Sequence, residues 1–103
     1  MVFISRKAKI DLDNIVIGLL DWEKVILTVD EVNQYVDDIV EIAYSLDEKI
    51  VRFKATYNDH LKHGAYVYPY RRNAKTIWYI IYDIDNKGDI FINRIISNYM
   101  TVS

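Results

Sequence analysis

"TIWYIIYDIDNKGDIFINRII", residues 76–96, is the stretch on which the fold turns. Its first half is apolar or aromatic at almost every position, without the three- and four-residue spacing of an amphipathic helix. Such a run predicts a strand over residues 76–84, either covered on both faces or covered on one and presenting an aromatic-lined groove on the other. "DNKG", residues 85–88, is turn chemistry, with Gly88 at a position that favours a positive φ. "DIFINRII", residues 89–96, then reads as the antiparallel partner strand.

Upstream, "YVYPY", residues 66–70, is aromatic and β-branched, and Pro69 cannot donate to a ladder, which favours an edge or a bulge. "RRNAK", residues 71–75, joins it to the next strand as a hairpin tip. The segment 52–64, "RFKATYNDHLKHG", has no clean period and reads as a connector with one helical turn. Leu12, Ile15, Val16, Leu19 and Leu20 recur at helical spacing and predict a helix over residues 6–22. Thr28 and Glu31 form a capping box, from which Val32, Val36, Ile39, Ala43 and Leu46 trace a stripe down a helix of residues 28–50. With "VFIS", residues 2–5, as an opening strand, the order is β-α-α-β-β-β. The predicted fold is α+β, a single domain over residues 1–103, with an antiparallel helical hairpin on one face of a mostly antiparallel sheet.

Composition narrows the chemistry. The 103-residue chain is 51% hydrophobic and 14% aromatic, which suits one packed core. Without cysteine there is no disulfide, no thiolate nucleophile and no cysteine-ligated zinc. No run approaches the roughly 18 apolar residues of a membrane span, and the first residues lack a signal-peptide core, so a soluble cytoplasmic protein without membrane association is expected. The net charge of -2 is unevenly spread: residues 27–50 hold seven carboxylates against Lys49, while residues 52–75 hold six lysines and arginines against Asp59. Contact with a polyanion would therefore use the second segment.

Few residues are arranged for catalysis. His60 and His63, three apart and beside Asp59, would share a face of a helical turn, but two imidazoles and a carboxylate do not close a metal site, and they read as polar loop histidines. No metal and no cofactor is expected. The glycines are isolated, so there is no phosphate loop, and no nucleophile motif is present. The carboxylates of residues 30–48 fall on the solvated face of a helix. Arg71, Arg72 and Lys75 at the hairpin tip could hold phosphates, with Tyr66, Tyr68, Tyr70, Trp78, Tyr79 and Tyr82 stacking bases beside them. Equally, the rings could fill the core while the charges solvate a turn and protect an edge.

An opening strand, a helical hairpin and then "YPYRRNAKTIWYIIYDIDNKGDIFINRIISNY" resembles the RelE/ParE superfamily of bacterial toxins from type II toxin–antitoxin pairs. Matching positions are Trp78-Tyr79-Ile80-Ile81-Tyr82, the turn 85–88 and the strand from Ile90 to Ile96, with "KHGAYVYPYRRNAKTIWYIIYD" resembling a subgroup in which an RRN turn precedes the strand. The resemblance implies growth inhibition, a role in plasmid stabilisation and neutralisation by a cognate antitoxin. Its targets would be either DNA gyrase or the ribosome with its mRNA. The endonuclease branch stabilises charge at the scissile phosphate with basic side chains of the sheet. At the positions of that set this chain has Val67 and Pro69, then Tyr79, and near the end Tyr99, so Arg71 alone falls on a family cation. Arg71, Tyr79 and Tyr99 are the candidates the resemblance leaves for catalysis, and Tyr70, Arg71, Arg72, Lys75 and Tyr79 those for target binding. A positioned donor is worth roughly 10²–10³ in rate, so this depletion favours a gyrase-inhibitor-like or divergent toxin. The alternatives are a non-toxic protein-binding module on the same fold and a ribosome-dependent mRNA endonuclease.

Overall fold

The computed structural model describes residues 1–21, 28–49 and 52–98. Five strands, β1 (Val2–Ile4), β2 (Phe53–Lys54), β3 (Tyr66–Arg71), β4 (Ile77–Ile84) and β5 (Ile90–Ser97), form one sheet in the order β1-β5-β4-β3-β2. The predicted α+β architecture is present: β1 runs parallel to β5 and every other pairing is antiparallel. Helices α1 (Arg6–Asp21) and α2 (Val29–Tyr44) pack on one face. Chain entry into α1 needs no loop, because Ser5 continues β1 through its amide to the Ile92 carbonyl at 2.9 Å. Its hydroxyl then accepts from the Ala8 amide at 3.1 Å, capping the helix.

The all-apolar run of β4 resolves into two covered faces. Trp78, Ile80 and Tyr82 point into the core with Ala8, Leu12 and Ile15 of α1 and Ile39 and Ala43 of α2. On the opposite face Ile81 is fully buried, and Tyr79 packs on His60 with ring centroids 4.5 Å apart. The segment after β2 provides that second cover, and it includes the expected single helical turn, α3 (Asn58–Leu61). Gly64 makes the close approach possible: a Cβ there would lie 2.9 Å from the Tyr82 carbonyl oxygen and 3.0 Å from Ile81 Cγ2. At the far end of the strand, Gly88 adopts φ 84° in the predicted turn.

Three expectations needed correction. The second helix does not run through residue 50: it ends at Tyr44, where the Ser45 hydroxyl donates to the Ile42 carbonyl at 2.7 Å, and a 3-10 turn (Leu46–Glu48) still delivers Leu46 to the core. The connector contains β2, two residues long and held by Phe53 opposite Val67 and Lys54 opposite Tyr66, too short for a sequence period to register. His60 is not a polar loop residue; it is 3% exposed in α3, beneath the Tyr57 and Tyr79 rings. Pro69 lies beyond the residues of β3 paired to β2, consistent with an edge position among the described residues.

β5 contains a bulge. Opposite β4, Tyr82 pairs with Ile92 but Ile81 pairs with Arg94, so Asn93 is extra. Ile90 and Ile92 reach the core before the bulge and Ile95 after it, so alternation changes parity without exposing an isoleucine. The bulge is pinned from α1: Asp11 accepts from Arg94 Nε at 2.8 Å, from Arg94 Nη2 at 3.0 Å and from the Ile95 amide at 2.9 Å. Asp11 is 7% exposed, so Asp11→Ala strands the Ile95 amide and the guanidinium together. Urea unfolding of that variant is expected to show a loss of about 2–3 kcal/mol, the range for removing a charged hydrogen-bonding partner from a buried donor.

Candidate functional site

The hairpin tip between β3 and β4 is shaped by its own side chains. Asn73 Oδ1 accepts from the Lys75 and Thr76 amides, both at 2.9 Å, and the Arg72 amide donates to the Thr76 carbonyl at 2.9 Å. Asn98, just past β5, braces the tip from the side: its Oδ1 accepts from the Ile77 amide at 3.0 Å and its Nδ2 donates to the Lys75 carbonyl at 3.0 Å. Arg71 and Lys75 project from this frame as exposed cations.

Arg72 has a different role from its neighbours. Its guanidinium donates to Asp38 of α2 and, at 3.4 Å, to the Tyr70 hydroxyl, while its Cζ lies 4.3 Å from the Tyr35 ring centroid. Tyr35 in turn accepts from Trp78 Nε1 at 2.8 Å and meets the indole edge-on. Asp38, Arg72, Tyr35 and Trp78 therefore couple α2 to both ends of the hairpin loop. The Arg72 hydrogen bond, with a further one from Gln34, holds the Asp38 carboxyl below the usual carboxylate range. Asp38 departs in this from the solvated acidic face expected of α2.

The five residues predicted for target binding divide between the faces of the sheet. Tyr70 packs on the core beside Arg72, on the helix side. Arg71 pairs with Ile77, and Tyr79 with Pro69, on the face carrying His60. Arg71 and Lys75 are left as the accessible cations of the tip, and Tyr79 is half-buried, its ring packed over His60. Of the catalytic candidates, Tyr99 lies outside the described residues. Most of the aromatic set turns out to be packing: Trp78 and Tyr82 are buried, and Tyr66, Tyr68 and Tyr70 rest against the core. Tyr66 stacks on Tyr82 with centroids 5.6 Å apart. Among the described residues no group of three potential ligands is placed to hold a metal, and His60 and His63 do not converge on one.

Two concavities went unnoticed in the sequence. One, about 230 Å³, is an apolar groove between α1 and the sheet, lined by Ile15, Leu19, Trp78 and Ile95 and opened by the missing side chain of Gly18. The other, about 390 Å³, is polar and gathers Arg6 and Lys7 of α1, Lys62 and His63 after α3, and Asn93 and Arg94 of the bulge. No local motif signals it, because its cations come from three separate segments. Compared with known proteins, the chain matches no family model, no curated protein and no solved structure. Among the described residues no helix is long and apolar enough to cross a membrane.

The division of the tip is testable by stability. Arg72→Ala removes the link to α2 and is expected to cost about 1–2 kcal/mol in chemical denaturation, whereas Arg71→Ala and Lys75→Ala should each stay within about 0.5 kcal/mol. The histidines give a pH signature. Burial holds His60 below its usual 6.5, and burial followed by the Arg94, Lys62 and Lys7 cations does the same to His63. A histidine with a depressed folded pKa binds its proton more readily when unfolded, so stability declines as pH falls through 6.5 toward the folded values. The urea midpoint should drop between about pH 7.5 and about pH 5, and the double variant His60→Gln/His63→Gln should flatten that dependence.

Proposed function

We propose that this chain is the toxin component of a type II toxin–antitoxin pair, of the RelE/ParE kind, acting in the cytoplasm by binding a macromolecular target. The observation that carries the reading is the hairpin of residues 66–84: two exposed cations, Arg71 and Lys75, on a tip braced by Asn73, Asn98 and the Arg72–Asp38 link. A rigid tip loses little conformational entropy on binding, which suits recognition of a large surface. The order of strands and helices, over which the resemblance extends to nearly the whole chain, adds support.

Binding is favoured over mRNA cleavage within this reading. Arg72 is committed to α2, and Tyr79 packs against His60, so among the described residues Arg71 has no second exposed cation beside it on its own strand face. A single positioned cation offers little stabilisation to a phosphodiester transition state. Target-binding of the gyrase-inhibitor type, with a cognate antitoxin to neutralise it, is the mode proposed. The rival, a non-toxic protein-binding module, draws on the Phe3 and Phe91 rings, stacked 5.2 Å apart and 42% and 38% exposed on β1 and β5.

Inducible expression with and without the adjacent open reading frame tests the toxin reading. Growth arrest relieved by the neighbour is expected; unaffected growth in both arms sinks it. Replacing Arg71 and Lys75 together with glutamine should relieve arrest without unfolding the protein, and codon-linked mRNA cleavage on translating ribosomes would replace the non-nuclease mode with the endonuclease one.

A further inference from the structure

The polar pocket at the start of α1 is a second concentration of positive charge, assembled from residues other than those of the hairpin tip. Its lining contains four permanent cations, Arg6, Lys7, Lys62 and Arg94, with His63, Ser5 and Asn93, and no carboxylate. Two of those cations sit in the first turn of a 16-residue helix that has no acidic residue in that turn. Positive side chains at the positive end of a helix dipole repel it, so the arrangement is unfavourable unless an anion is present. Among the described residues neither Arg6 nor Lys7 has an ion-pair partner; Lys62 pairs with exposed Asp59 at 3.6 Å, and Arg94 is held by Asp11. The position of the pocket wall is set by Asn93, whose Nδ2 donates to the His63 carbonyl at 2.7 Å and to Asp83 at 2.8 Å. The surrounding cations also act on His63, which after burial they hold below its ordinary value.

We infer that this pocket binds a phosphate ester, with Arg6, Lys7 and Lys62 as the donors, while Arg94, neutralised by Asp11, forms part of the wall. The lining indicates the ligand class, and at about 390 Å³ the pocket has room for a phosphate with one attached sugar. Apart from the His63 imidazole no ring lines the pocket, so the phosphate is recognised and the base is not. The inference does not rest on the toxin reading; a mononucleotide and a backbone phosphodiester of single-stranded RNA share the chemistry.

Isothermal titration calorimetry at low salt with inorganic phosphate, adenosine monophosphate and a short single-stranded RNA is the test. Wild-type protein is expected to bind at least one of the three, with affinity falling as salt rises. R6Q/K7Q should weaken binding on the order of tenfold or more, K62Q should weaken it through an independent segment, and R71Q/K75Q should leave it unchanged. Tighter binding of the RNA identifies a backbone phosphate as the source, and comparable binding of the small anions identifies a free ester. Absence of binding in the wild type, retention of full affinity in both R6Q/K7Q and K62Q, or loss confined to R71Q/K75Q would overturn the assignment. Far-ultraviolet circular dichroism on each variant confirms that a loss is not unfolding.

Discussion

Asp11 reaches from the second turn of α1 to the bulge of β5, where one carboxylate holds both the Arg94 guanidinium and the Ile95 amide. β1 pairs with β5 only as far as Ile92, so beyond it the Ile95 amide meets the Asp11 carboxylate in place of a strand, and a buried donor left unpaired is costly. The carboxylate satisfies that amide and neutralises the arginine beside it. Because the bulge changes the parity of β5, Ile92 and Ile95 can both enter the core, and α1 can lie against the strand that β1 also pairs with. The packing of α1, the register of the central strands and the orientation of Arg94 thus share one anchoring residue.

A second polar link organises the other end of the sheet. Arg72 joins the β3–β4 hairpin to α2 through Asp38, with Tyr35 and Trp78 continuing the contact into the core. Its side chain is only 27% exposed, so the pair is more than a solvated surface contact. The functional consequence is a separation of roles among three basic residues within five positions. Arg72 orients the tip, and Arg71 and Lys75 are free to meet a partner.

The two positive regions differ in how they arise. At the hairpin tip the cations are neighbours in the chain, and the loop geometry decides which of them face outward. At the start of α1 the cations are brought together by β1 leading directly into the helix, by the bulge in β5 and by the turn after α3. That second region lies near the Asp11 anchor, so fold stability and pocket shape depend on the same short segment of β5.

Periodicity and capping chemistry made much of this architecture readable from residues. The Thr28–Glu31 box marks the start of α2, the "DNKG" turn places Gly88, and the unbroken apolar run of residues 77–82 marks a strand, with the choice between two covered faces and one face plus a groove left to the packing. These are local signals, expressed within a few residues of where they act. What covers the second face of β4 was not readable, because β2 and α3 are too short to show a period and His60 looks polar until Tyr57 and Tyr79 enclose it. The same holds for charge: "RRNAK" and the basic pocket are visible as residue types, but a charged side chain is committed or available according to its spatial neighbours. Asp38 is 34 positions from Arg72 and Asp11 is 83 from Arg94, so those commitments were made when the sheet and helices packed.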